Sequence, residues 1–131
     1  METIELINKL KKDWSTGVIT QDVDLLLGLY DPKAILKPTL SPIIRTIPND
    51  IKAYFIGSKQ FNDSGFINNG INKIDFTQSF INEVENCIID VGKYTFFKPD
   101  NQKIEADYTF VYLKDKEGLK IISHHSSLAV D

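Results

Sequence analysis

The second half of the chain is written in strands, and that constrains everything before it. From Lys73 onward four long alternating runs follow one another: Lys73–Ile81, Asn86–Phe97, Lys103–Leu113 and Leu119–Ala129. Turn residues separate the later runs at Pro99-Asp100-Asn101 and Lys114-Asp115-Lys116-Glu117-Gly118. Connections this short join neighbouring strands antiparallel, so the runs are expected to form a meander. In the third run Tyr108, Phe110 and Tyr112 share one face, with Asp107, Thr109 and Val111 on the other. A sheet with an aromatic face must cover it, and the N-terminal half has to supply the cover.

That half reads mainly as helices. Residues Ile4 to Thr16 carry Ile4, Ile7, Leu10, Lys11 and Trp14 at helical spacing. Trp14 is expected to be the aromatic lid of the core, with cofactor stacking as its other use. Asp22 is an N-cap for a second helix through Val23, Leu26, Leu27 and Tyr30. Asp31-Pro32 closes that helix, because a residue before proline avoids the helical region. Ala34–Thr39 is a short strand stopped by Pro38, with Thr39 at its lip. Thr46-Ile47-Pro48-Asn49-Asp50 opens a helix with Ile51, Tyr54, Phe55 and Ser58 on one face, weakened at its far end by Gly57. Residues 57–72 are turn-rich, and a loop of that length covers a site or is disordered. Its Phe61 and Phe66 favour the cover. Helices first and strands afterwards predict an α+β fold in one domain, 1–131: a curved antiparallel sheet with N-terminal helices on its concave face.

Composition excludes several classes of function. A net charge of −3 with scattered Lys and Arg argues against an electrostatic nucleic-acid binder. The single cysteine, Cys87, rules out an internal disulfide framework and a cysteine-rich zinc site. No apolar run approaches the ~20 residues of a membrane span. Met1-Glu2-Thr3-Ile4-Glu5 has no basic region leading into an apolar one, so a cytoplasmic protein is expected.

The last strand, Leu119–Leu128, ends in four polar residues, His124-His125-Ser126-Ser127. Alternation from Leu119 and Ile121 turns His125 and Ser127 inward and leaves Lys120, His124 and Ser126 outward. An inward imidazole two residues from an inward hydroxyl is a candidate for chemistry, as a base or proton carrier. It is equally a half-buried histidine satisfied by Ser127 or a carbonyl. Adjacent strand residues face opposite ways, so the two histidines do not share a metal ion, and no third histidine exists to complete a zinc site. Carboxylates would have to finish such a site, and no spacing suggests it. No cofactor is expected. A nucleophilic triad is excluded by the absence of a Gly-x-Ser-x-Gly elbow. Tyr54 and Thr39 each have a plain structural use, in packing and in closing a strand.

In chain order, Trp14, Tyr30-Asp31-Pro32, Lys37-Pro38-Thr39, Ala53-Tyr54-Phe55-Ile56-Gly57, Gly65-Phe66, Gly92–Phe97, Tyr108-Thr109-Phe110 and Ile121–Ser127 form a familiar series. It resembles the association domain of calcium/calmodulin-dependent kinase II, within the nuclear-transport-factor-2-like (NTF2-like) superfamily. More narrowly, it resembles the iota class of carbonic anhydrases. The resemblance spans about residues 14 to 128 and implies an NTF2-like cone, commonly a homodimer, with a pocket between helices and sheet. It implies reversible hydration of carbon dioxide to bicarbonate without metal. The implied catalytic residues are Thr39, Tyr54, His125 and Ser127, with Phe55 and Phe66 walling the substrate. Thr39, Tyr54 and Ser127 would hold water and bicarbonate oxygens while His125 takes the proton. Two other readings stay open. One is a non-catalytic oligomerisation or small-ligand-binding module. The other is an isomerase of the same superfamily with Asp107 as base.

Overall fold

The computed structural model describes residues 2–39 and 41–130. Three helices, α1 (Thr3–Ile19), α2 (Val23–Gly28) and α3 (Pro48–Ile56), pack against an open curved sheet of five strands. The strands are β1 (Tyr30–Lys37), β2 (Lys73–Val84), β3 (Cys87–Phe97), β4 (Lys103–Asp115) and β5 (Gly118–Leu128), in the order β1-β5-β4-β3-β2. The helix-then-strand grammar therefore gives the α+β architecture it implied. One feature differs: β2 to β5 form the expected antiparallel meander, but β1 runs parallel to β5, so the sheet is mixed. The long excursion through α3 and residues 57–72 lets β1 sit on one edge and β2 on the other, as a parallel neighbour requires a crossover. Tyr30 also moves, from the expected end of the second helix to the first position of β1.

Each element forms for local reasons. In α1 the buried face is Ile7, Leu10, Lys11, Trp14 and Val18, the i, i+3, i+4 stripe of an amphipathic helix. The Asp22 carboxylate accepts from the Leu25 amide at 3.1 Å and caps α2 as expected. Pro48 sits in the first turn of α3, where its missing amide hydrogen costs nothing. The inner sheet face presents Tyr94, Phe96, Tyr108, Phe110 and Tyr112, all buried. Trp14, 1% exposed, stacks on Tyr94 with ring centroids 5.8 Å apart and meets His124 edge-on at 5.9 Å. It is the centre of the core rather than its lid.

Two bulges shape the sheet. On β2 the register slips between Phe76 and Gln78, leaving Thr77 extra opposite β3. There the backbones come so close that a Cβ on Gly92 would lie 1.9 Å from the Gln78 carbonyl oxygen, so only glycine fits. On β5 the pairing passes from Ile121 opposite Tyr112 to Ser123 opposite Val111, so Ile122 is the extra residue. β1 is irregular at the same place.

The second bulge reverses the expected orientation of the polar run. A one-residue slip sends every later side chain to the other face. Ile121 points inward as predicted, but His124 and Ser126 are then the buried pair, at 2% and 6% exposure. His125 and Ser127 stand on the outer face, His125 exposed and Ser127 half-buried.

Candidate functional site

A cleft of about 450 Å³ lies beside the inner face, between α3, residues 62–71 and the ends of β3 to β5. Thr39, Tyr54, Phe66, Phe96 and Ala106 line it. Thr39 reaches it because Pro38 ends β1 just beyond Lys37, and Tyr54 because it lies one residue from the core positions of α3. The Thr39 and Ser126 hydroxyls are 2.6 Å apart. Ser126 is in turn 2.5 Å from the Tyr94 hydroxyl, which lies 3.3 Å from His124 Nε2. The other imidazole nitrogen, Nδ1, is 2.8 Å from the Tyr30 hydroxyl, and the Trp14 indole N–H donates to that same oxygen at 3.1 Å. A hydrogen-bonded chain thus runs from the middle of the core out to the cleft wall.

The chain is neutral. Burial pushes the His124 imidazole down to about 3, with the nearby His125 adding to the shift. Burial likewise raises the phenols of Tyr30, Tyr94 and Tyr54, so all three stay protonated. Tyr54 stacks on Phe66 at 5.7 Å, and its hydroxyl has no hydrogen-bond partner among the described residues. It is a donor left for whatever enters the cleft.

The cleft is held open by a buried arginine. Arg45, wholly buried, makes a two-pronged pair with Asp63 at 2.7 and 3.0 Å. It also donates to the carbonyls of Ile43 and Asp50 and to the Ser41 hydroxyl, and its guanidinium lies 4.2 Å from the Phe61 ring centroid. Two walls that are far apart in sequence, residues 41–45 and 61–66, are fastened by this one side chain.

Of the residues predicted from sequence, Thr39, Tyr54 and Phe66 meet at the cleft. Phe55 does not: it is 0% exposed and packs against Tyr30 in the core. His125 and Ser127 lie across the sheet, in a shallow outer depression with Phe80, Val91 and Thr109. Asp107 is also on that side, paired with Lys93 at 2.6 Å, and cannot serve an inner cavity as base. The sequence reading missed Arg45 and Asp63, which carry no motif, and the roles of Tyr30 and Tyr94. The one mark of the bulge was Ile121-Ile122, two adjacent apolar residues in an otherwise alternating strand. Among the described residues no three His, Cys, Asp or Glu side chains are grouped to hold a metal ion. Among the described residues no helix is long and apolar enough to cross a membrane.

Helices laid across a curved five-stranded sheet, with a cleft at one end of the inner face, are an NTF2-like fold. An NTF2-like protein from Cytophaga hutchinsonii has the same fold at 13% identity, TM-score 0.73, covering 98% of this chain and 100% of that one. The putative calcium/calmodulin-dependent protein kinase II association domain from Xanthomonas campestris is 27% identical, TM-score 0.78, over 95% of this chain and 86% of that one. The iota-carbonic anhydrase from a cyanobacterium, in complex with bicarbonate, is 25% identical, TM-score 0.87, over 99% and 94% of the two chains. The family described as "Metal-independent carbonic anhydrase" matches residues 8–128, and the chain belongs to that family. Its activity is that of a carbonic anhydrase, a lyase interconverting carbon dioxide and bicarbonate. No curated protein sequence matches the chain significantly.

Proposed function

We propose that carbon dioxide hydration takes place in the cleft at Thr39 and Tyr54, with Ser126 and His124 directly behind Thr39. The observation that carries this is the hydroxyl pair, Thr39 and Ser126 at 2.6 Å, ending a buried chain at a cleft wall. The fold match to a bicarbonate complex supports a ligand of the same kind. Phe66 and Phe96 give the small apolar substrate a lining that excludes bulk water. The water oxygen bonds to the carbon while one C=O electron pair moves onto oxygen, giving bicarbonate. Hydroxyl donors fixed in a dry site stabilise that oxygen as its charge grows. The proton leaves to solvent at the cleft mouth, because both His124 nitrogens already face phenols. His125 has no part in this.

Stopped-flow hydration of metal-stripped protein tests the reading. Acceleration should persist after stripping and fall in Ser126→Ala. Equal rates for wild type and Ser126→Ala would sink the site assignment.

The protein is read as a cytoplasmic homodimer that binds neither nucleic acid nor membrane. The outer sheet face supports the dimer: Phe80 is 70% and Val91 44% exposed there, with Ile89 at 41%. Sedimentation of Phe80→Lys should show a weakened dimer, and an unchanged one would place the contact elsewhere.

A further inference from the structure

We propose that Tyr30 is a positioning residue that fixes His124 as its Nε2–H tautomer, and so leaves one spare hydroxyl proton at the Ser126–Thr39 pair for a bound bicarbonate oxygen. This rests on the reading that Thr39 faces the reaction. Protons can be counted along the buried chain. The Tyr30 oxygen accepts from the Trp14 indole, which can only donate. Tyr30 is 6% exposed, and among the described residues the single acceptor within reach of its own O–H is His124 Nδ1 at 2.8 Å. A buried donor left without an acceptor is costly, so Nδ1 must be the bare nitrogen. In a neutral ring the proton then sits on Nε2, pointing at the Tyr94 oxygen. Tyr94 is left to donate to Ser126.

Ser126 and Thr39 together hold two hydroxyl protons and share one hydrogen bond. With the Tyr94 proton also arriving at Ser126, one of those two protons is free to donate into the cleft. The other tautomer reverses every bond: Ser126 would donate to Tyr94 and Thr39 to Ser126, and the pair would offer the cleft only lone pairs. One tautomer makes a donor for an anion, and the other makes an acceptor for water. Tyr30 decides between them although it never touches the cleft. The indole also blocks the inner end, since an N–H cannot take up a proton arriving through Tyr30. The chain therefore holds a fixed polarity and does not conduct protons.

The test uses histidine-selective 15N labelling in a His125→Ala background, where His124 gives the only ring signals. Long-range 15N–1H correlations read the tautomer with no substrate present. The expected spectrum shows a protonated Nε2 and a bare Nδ1. Tyr30→Phe, which keeps the ring and its packing, should give a mixed or reversed tautomer. It should also raise KM for bicarbonate roughly tenfold, the loss of one hydrogen bond to a charged ligand, with a smaller change in kcat. Nδ1–H in the parent spectrum overturns the proposal, as does Tyr30→Phe with both spectrum and KM unchanged. Full activity in Ser126→Ala removes instead the site reading beneath it, and the tautomer spectrum tells the two failures apart.

Discussion

Two polar networks are buried under α1, and they are built on opposite principles. One is the neutral chain through Tyr30, His124, Tyr94, Ser126 and Thr39. The other surrounds Asp90, which is 0% exposed. Lys11 pairs with it at 2.8 Å, while Tyr112, Ser79 and Tyr108 donate to it at 2.7, 2.7 and 2.9 Å. The ammonium is itself closed off, lying within 3.0 Å of the Ser79 oxygen and 2.9 Å of the Tyr108 oxygen. Among the described residues the Lys11 ammonium has all three of its partners, so the charged network is complete, although Lys11 and Ser79 also border a groove of about 510 Å³ between α1 and β2. The neutral chain is open at one end, and that end is in a cleft. Buried charge alone would have pointed to the closed network and away from the proposed site.

The largest effect should come from breaking the closed network. Lys11→Met keeps the length of the side chain but strands the Asp90 carboxylate, and removing one partner of a buried pair costs roughly 3–5 kcal/mol. Denaturant unfolding should show that loss, while hydration per folded molecule stays within about twofold. A lost rate with stability intact would put Asp90 in the chemistry and end the contrast. Next comes the open network. Ser126→Ala should lower kcat/KM about 10²-fold, the usual cost of one donor at a developing oxyanion. Its stability cost should be roughly 1–3 kcal/mol, from the Tyr94 hydroxyl left without its acceptor.

The neutral chain also makes a prediction in pH. His124 is held at about 3 when folded and returns to about 6.5 when unfolded. Between those values the unfolded chain binds the extra proton, so stability is full above about pH 6.5 and falls as the pH drops toward 3. The loss is on the order of a few kcal/mol at most, and His124→Gln should flatten that part of the stability profile. A wild-type curve with the same slope as His124→Gln would mean that the imidazole is not held neutral by burial.

Much of this was legible in the sequence, and the failures have two causes. Periodicity located the helices and the four long strands, because an aromatic face such as Tyr108, Phe110 and Tyr112 repeats every second residue. Thr39 and Tyr54 came from the resemblance, through Lys37-Pro38-Thr39 and Ala53-Tyr54-Phe55, and both line the cleft. Alternation can be carried along a strand only while the pairing stays regular, and one inserted residue at Ile122 undid it for the whole polar run. The parallel seat of β1 and the Arg45–Asp63 fastening depend on contacts made far along the chain, which no local pattern encodes.

The smallest effect is the one that most directly separates the two faces of β5. His125 and Ser127 share the sequence motif with His124 and Ser126 and differ from them only in direction. The double variant His125→Ala, Ser127→Ala should therefore leave the hydration rate per protomer within about twofold, because neither side chain reaches Thr39 or the cleft. Stability should move by roughly 0.5 kcal/mol or less for each, as is usual for surface substitutions. The outer face does carry the proposed dimer contact, so the rate is best measured at a concentration where sedimentation shows the variant and wild type in the same state. A hundredfold fall under those conditions would restore regular alternation through Ile122. It would turn the sheet end over and put the catalytic hydroxyl on the face now assigned to the partner protomer.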